Sequence, residues 1–414
     1  MKKKILLIGY NFYPELTGIG KYSGEMIEWL AKEGYVCTVI TTYPYYPYWK
    51  IQEPYRKRRF WYKKEKETFD SGGAITIYRC PMYVPRKPTG KKRMLLDFSF
   101  FASVTFQLAK LAFFNKFDFI FTVAPSFQLG ILGNYFKKIR KGKHIYHVQD
   151  LQIEVAKDLE MIKSKKLLKT LFKLENSILN KSDVVSSISE NMVAKIEGKT
   201  ESEVILFPNW VDNKIFYPLK NQNQLKVNYG YQPKDKVVLY SGAIGEKQGL
   251  IAILKTAKKF ETQPNIKFAI CGTGPYKKEL QRQAKEMNLK NLGFFPLQPL
   301  EKFNTFLNMA TVHLVMQKTK ASDLVLPSKL TSILAVGGLS LITADKGSNL
   351  YHLVDKYKMG ILVPTENQQA LDEGLEKALN EENGKLLKHN ARIYSEKNLN
   401  IDNIMQTFKD AVLT

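Results

Sequence analysis

Cysteine is scarce in these 414 residues: Cys37, Cys80 and Cys271, odd in number and far apart. That excludes a disulfide framework and any CxxC metal or redox pair, and fits reduced thiols in a cytosolic compartment. The pattern of a secretory leader is also missing. Residues 2–4 are basic, but the apolar run behind them, 5–8, is too short for an h-region. No uninterrupted apolar run reaches membrane-spanning length. The most apolar stretch, 94–114, is broken by Asp97, Gln107 and Lys110, so a transmembrane span is not expected there. It is better suited to a core helix, or to one with a face against a membrane surface. Internal repeats, low-complexity tracts and paired-carboxylate metal spacings are absent as well.

Acidic residues are the other shortage: 39 against 63 Lys and Arg, a formal net charge of +24. The excess is uneven, with +17 in residues 1–200 and +7 in the rest. Two clusters supply much of it: Arg56, Lys57, Arg58, Arg59, Lys63, Lys64 and Lys66, then Arg86, Lys87, Lys91, Lys92 and Arg93. Aromatics are interleaved, among them Tyr43, Tyr45, Tyr46, Tyr48, Trp49, Tyr55, Phe60, Trp61 and Tyr62. Basic charge draws a protein to nucleic acid or to an anionic leaflet, at about 1 kcal/mol per Lys or Arg near lipid. Interfacial aromatics favour the membrane, and no helix-turn-helix or RNA-binding signature supports nucleic acid. A solvated basic face is the plainer alternative.

Length alone favours two domains. Short Val-, Ile- and aromatic-rich runs alternate with longer helical patterns, the signature of parallel sheets with crossover helices. Strands are expected at 4–8, 35–41, 75–78, 117–123, 144–148, 184–188 and 204–207. A second set falls at 237–240, 266–270, 292–295, 312–315, 339–342 and 360–363. Each set suffices for one doubly wound sheet, and residues 208–233 read as the connector. The domains are placed at 1–208 and 209–394, with a helix near 395–414 packing back on the first.

Ligands of such sheets bind beyond the carboxyl ends of the strands. The first loop, GYNFYPELTGIG, carries Gly18 and Gly20 ahead of a helix, which permits close backbone approach to a ligand. It is too long for a dinucleotide fingerprint, and the second strand ends in Thr41–Thr42 rather than an acid, which counts against an NAD enzyme. The second domain opens on SGAIGEKQG, where Gly242, Lys247 and a helix start offer a diphosphate seat. Gly272, Thr273 and Gly274 form a compact turn after the next strand. Further on, Asp323, Ser328 and Lys329 surround another helix start. Asp and Ser can simply cap a helix. A cation there opposes the helix dipole and asks for an anionic ligand.

In order, these loops resemble family 4 of the retaining glycosyltransferases. The chain carries FYPELTGIG where that family has its P-E-x-x-G loop, PNWVDNKIFYP for its interdomain PNGVD signature, SGAIGEKQG for its phosphate loop, and LPSKLTSILAVGG for its PSK helix. Finer stretches, HVQDLQIE among them, are similar to colanic-acid-type exopolysaccharide and O-antigen fucosyl- or N-acetylfucosaminyltransferases. The resemblance implies an α/β chain with the GT-B fold: two Rossmann-like domains facing each other across a cleft, the first for acceptor and the second for a nucleotide-diphosphate sugar, UDP- or GDP-linked. It departs from the family pattern where the usual Arg falls on Ala243 and the second Glu of a paired motif falls on Ser332.

The same resemblance places His147, with Asp150 close by, beside the donor sugar and Asp323 on sugar hydroxyls. Lys247 and Lys329 share the diphosphate, and Gly18, Gly20, Gly242, Gly272, Thr273, Gly274, Ser328 and Ser332 complete the donor set. No metal or other cofactor is implied. The implied acceptor is a polyprenyl-diphosphate-linked saccharide, with the enzyme cytoplasmic and peripheral on the anionic inner leaflet. A nucleotide-sugar epimerase of the same fold, a nucleic-acid- or membrane-binding protein, and a silent scaffold stay open at this level.

Overall fold

The computed structural model describes every residue except 1, 16, 17, 125, 159–161, 163, 319–326 and 381–383, together with all side chains but those of 114, 155, 156, 158 and 247. The chain forms two compact units: residues 1–208 with 405–414, and residues 209–404.

Eight strands build the first unit's sheet: β1 (Lys4–Ile8), β2 (Val36–Thr42), β3 (Lys63–Thr68), β4 (Ala74–Cys80), β5 (Phe119–Ala124), β6 (Lys143–Val148), β7 (Val184–Ser187) and β8 (Val204–Leu206). Their order is β3-β4-β2-β1-β5-β6-β7-β8. All neighbours are parallel except β3, which runs antiparallel to β4 in register Lys64↔Tyr78 and Glu67↔Ile75. The central strands are buried on both faces, as β5 (FIFTVA) shows from end to end, because crossover helices cover both sides of a parallel sheet. β3 (KKEKET) is the exception. It has almost no apolar side chain and forms only because β4 offers an open ladder, and its charges keep that edge from pairing further.

Helix Gly90–Phe114 crosses one face of this sheet. Phe100, Val104, Leu108 and Leu111, at intervals of three and four, pack on Leu6, Ile8, Ile40 and Ile120, and Leu96, one turn earlier, packs with Tyr43, Tyr45 and Ile51. Fully burying side chains of this size is worth about 1.5–3 kcal/mol each. By length and composition residues Gly90–Phe113 could cross a membrane, with a mean hydropathy of 1.3, but from Phe100 to Leu111 this stripe binds the helix to the sheet. At the chain end, Phe408 of helix Ile401–Val412 stacks on Phe207 with ring centroids 3.9 Å apart.

The second unit has six parallel strands: β9 (Lys236–Ser241), β10 (Ile266–Cys271), β11 (Leu292–Phe295), β12 (Val312–Val315), β13 (Ser340–Thr343) and β14 (Ile361–Val363). Their order, β11-β10-β9-β12-β13-β14, is that of a dinucleotide-binding sheet with its switch point between β9 and β12. Apolar clusters fill both faces, one around Leu239, Phe306 and Leu334, the other around Tyr240, Ile253 and Phe268.

Candidate active site

In the second unit the loops beyond β9 and β10 are laced together. Gly242 N–H donates to the Cys271 carbonyl at 3.0 Å, Ile244 N–H to Thr273 at 2.9 Å, and Tyr276 N–H to Ile244 at 3.1 Å. Only glycine permits this approach: a Cβ on Gly272 would lie 1.9 Å from the Gly242 carbonyl oxygen, and one on Gly274 2.2 Å from that of Ile244. Lys277 fastens the turn from behind, donating to the Gly272 carbonyl at 2.8 Å. Gly242, Gly272, Thr273 and Gly274 therefore come together as one surface at the carboxyl edge of the sheet.

Lys329 reaches the same surface from the other side of the switch point. It lies in the first turn of helix Ser328–Ala335, after β12. Its stem is partly exposed and packs near Gly242, whose missing Cβ would sit 3.5 Å from Lys329 Cδ. The Nζ is buried, 4.1 Å from the centroid of the Tyr240 ring, and has no hydrogen-bond partner among the described residues. Burial pushes its pKa down to about 7. Tyr240 is held beneath it by donating its hydroxyl to the Ala243 carbonyl at 2.6 Å. A helix start that holds a desolvated lysine Nζ without a described hydrogen-bond partner is arranged to receive an anion.

Ser328 is exposed beside Lys329, and Ser332 is buried one turn on. The Lys247 side chain and all of Asp323 lie outside the described residues. A cavity of about 310 Å³ opens at the carboxyl ends of β9, β12, β13 and β14, lined by Glu246, Gln248, Lys255, Gln317, Lys318 and Thr343 among others. Lys329 does not line it. Lysine and cavity mark two parts of one edge, and the unpartnered cation is the more specific sign of a ligand.

In the first unit the loop after β1 is organised by Glu15. Its Oε1 accepts the backbone N–H groups of Tyr45 and Tyr46, both at 2.8 Å, and Oε2 accepts from Asn11 at 2.7 Å. Burial pushes its carboxyl up to about 7. Gly20 is where the helix passes this side chain, since a Cβ there would meet Glu15 Cβ at 2.7 Å. Gly18, at φ +61°, starts the helix. Arg79, 1% exposed, ties the rim together. It donates to Glu65 at 2.7 Å, to the Tyr13 carbonyl at 2.9 Å and to that of Thr42 at 3.2 Å.

His147, on β6, is buried with Nδ1 2.9 Å from Ser186 Oγ and its ring edge-on to Phe207. Burial holds its pKa down at about 4, so it is neutral near pH 7. Asp150, past the strand end, is exposed, and its charge acts on Tyr10 together with Asp97 and Arg93. Sequence reasoning passed over Glu15, Arg79 and Lys277. Glu15 stood inside the quoted P-E-x-x-G motif, whereas the other two carry no local signal. Among the described residues no group of three His, Cys, Asp or Glu could hold a metal ion.

The family model described as glycosyl transferases group 1 matches residues 221–398, the unit that carries Lys329. Across 98% of this chain and 98% of its own length, the putative colanic acid biosynthesis glycosyl transferase WcaI of Escherichia coli (strain K12) is 39% identical. The chain belongs to the group 1 glycosyl transferases. Its GT-B fold is shared with two solved structures. Sucrose-phosphate synthase from Thermosynechococcus elongatus has a TM-score of 0.76 at 16% identity, over 99% of this chain and 98% of that one. Anabaena HepE in complex with UDP and glucose has a TM-score of 0.70 at 12% identity, over 99% of each chain. This glycosyltransferase thus sets its Lys329 surface where an open α/β sheet receives ligands.

Proposed function

We propose that the enzyme transfers a sugar, of fucose or N-acetylfucosamine type, from a UDP- or GDP-linked donor to a polyprenyl-diphosphate-linked saccharide, with retention of configuration, in bacterial exopolysaccharide, capsule or O-antigen synthesis. The observation that carries the donor half is the buried, unpartnered Lys329 ammonium at a helix start. The naming of WcaI for colanic acid biosynthesis supports the polysaccharide setting. The UDP and glucose bound to HepE, which has the same fold, support the donor class.

In this reading Lys329, Lys247 and the 328–335 helix start hold the diphosphate, and Gly242, Gly272, Thr273, Gly274, Ser328 and Ser332 shape the rest of the donor seat. Asp323, His147 and Asp150 serve the transferred sugar, and the loop with Gly18 and Gly20 admits it. The bond from the anomeric carbon to the diphosphate oxygen breaks as the acceptor oxygen bonds to that carbon on the same face. The acceptor proton passes to the departing diphosphate. The protein's part is to position two substrates and to stabilise the charge growing on the leaving group. Lysines and helix starts supply that stabilisation, and no metal enters the proposed step.

A thermal-shift screen against UDP-, GDP- and dTDP-sugars tests the donor class, because a ligand selective for the folded state raises its apparent stability. A shift with one nucleotide family, retained by the free diphosphate, is the expected result. No shift with any of them contradicts the reading.

A further inference from the structure

Helix Gly90–Phe114 carries two apolar stripes where a core helix needs one. The first, through Phe100, Val104 and Leu108, is packed on the sheet. The second runs along the opposite side through Met94, Phe98, Ala102, Phe106, Ala109 and Phe113, again at intervals of three and four. It is turned outward, with Met94 69%, Phe98 68%, Phe106 52% and Phe113 80% exposed. Exposed apolar surface in a row of this kind marks an interaction site.

Two features continue the stripe. Tyr62 lies against it, its ring 5.6 Å from Phe106 and its hydroxyl in hydrogen bonds of 3.0 Å with Ser103. This places the adjoining Phe60 and Trp61, 71% and 74% exposed, beside the helix. Next to Tyr62, sharing Phe106 and Lys110 with it, is a largely apolar groove of about 580 Å³, lined by Tyr78, Phe106, Gln107, Ala109, Lys110 and Phe113. That volume lies within the range of small-molecule pockets.

Basic residues predominate around this surface, with Asp97 half-buried among them on the helix. The helix has no acid in its first turn, where exposed Lys91, Lys92 and Arg93 instead oppose the helix dipole. Arg93 is partly accommodated by the Trp49 ring, 5.2 Å away, and by Asp97, while an external anion would offset the rest of this unfavourable placement. Lys110 and Lys116 are exposed at the other end, Lys64 lies over the Tyr78 ring at the groove, and Arg56, Lys57 and Arg58 are exposed beside Phe60. Apolar side chains flanked on all these sides by cations, with aromatics at the boundary, match a bilayer with anionic headgroups.

We propose that the outer stripe of helix Gly90–Phe114, with Phe60 and Trp61, lies flat in the surface of an anionic lipid bilayer, and that the groove beside it takes one hydrocarbon chain of a lipid. The proposal deepens the reading of a lipid-linked acceptor and rests on it, because this surface would hold the enzyme where such a substrate is embedded.

The test is flotation of the full chain with vesicles of phosphatidylcholine alone or mixed with phosphatidylglycerol, at low and high salt. The variants are Phe98→Ser/Phe106→Ser/Phe113→Ser, Ala109→Glu at the groove, and reversal of Arg56, Lys57, Lys91 and Lys92 to Glu. Every substituted side chain is exposed, and an unchanged nucleotide-dependent thermal shift reports that each variant is folded. The wild type should float with the mixed vesicles and much less with phosphatidylcholine. Each lost phenylalanine should weaken binding by about ten-fold. Charge reversal should remove the anionic preference, and Ala109→Glu should weaken binding to both vesicle types. Flotation of the triple variant equal to the wild type overturns the surface while leaving a lipid-linked acceptor intact. A wild type that stays with the soluble fraction in every mixture overturns both. Self-association without vesicles, abolished by the triple variant, would assign the stripe to a second copy instead.

Discussion

Replacing Lys329 by methionine should stabilise the free enzyme and cripple donor binding at once. The free amine is buried over Tyr240 without a hydrogen-bond acceptor among the described residues, and its pKa falls from 10.5 to about 7. At ~1.36 kcal/mol per pH unit that drop corresponds to a cost of ~5 kcal/mol. Lys329 titrates lower in the folded than in the unfolded state, so the cost is full below about pH 7, shrinks as pH rises towards 10.5, and vanishes above it. At pH 8 it is ~3 kcal/mol, so Lys329→Met should raise the Tm of the free protein there by about 5–10 °C. Nucleoside-diphosphate affinity should fall by about ten- to a hundred-fold, the worth of one charge-assisted contact. The diphosphate should also recharge the amine, so binding at pH 8 takes up close to one proton in the wild type and none in the variant. Calorimetry in two buffers of different ionisation heat reads that proton directly. Equal Tm values would show that the Lys329 amine is not desolvated in the free enzyme, and the same proton count for both proteins that it is not recharged by the diphosphate.

Arg79→Met should destabilise the first unit by about 2–4 kcal/mol in denaturant titrations, since it leaves two carbonyls without their donor and Glu65 with Lys63 alone. Arg79→Lys should recover only part of this, because an ammonium cannot reproduce the guanidinium fork. Glu15→Ala leaves the amides of Tyr45 and Tyr46 unpaired and should cost about 2–4 kcal/mol. The wild-type carboxyl is pushed up to about 7, so its contribution to stability declines as pH rises from about 4.5 to 7. Glu15→Gln should remove that part of the pH dependence, a difference that paired melts across the range would show. His147 is held neutral down to about pH 4, so a group titrating between pH 6 and 7 in the rate profile must survive His147→Asn. Disappearance of that limb in the variant would contradict the buried, uncharged assignment.

The strand pattern was legible because parallel strands are apolar on both faces. The 292–295 and 312–315 runs coincide with β11 and β12, and most other boundaries fall within two residues. β3 escaped because the apolar alternation of a sheet strand is absent from KKEKET; its signal is the register with β4, which is tertiary. The glycine loops pointed to the carboxyl edge of the second sheet for a physical reason, namely that Gly272 and Gly274 admit backbone where any Cβ would collide. Arg79 and Lys277 were not legible, since their partners are carbonyls brought close by folding. The burial of His147 was equally hidden, because nothing local announces that Ser186 and Phe207 enclose it. In 94–114, the polar interruptions read as breaks in an apolar run, while the two opposed stripes emerge only when one of them meets the sheet.

Donor binding as proposed for this enzyme depends on Lys329 meeting the diphosphate. Phosphorus NMR of UDP and GDP, titrated with wild-type protein and with Lys329→Met, tests this most directly. For the nucleotide that stabilises the fold, both phosphorus resonances should move and broaden with the wild type and move far less with the variant at the same concentrations. Resonances that move equally with both proteins would place the diphosphate elsewhere and contradict the account.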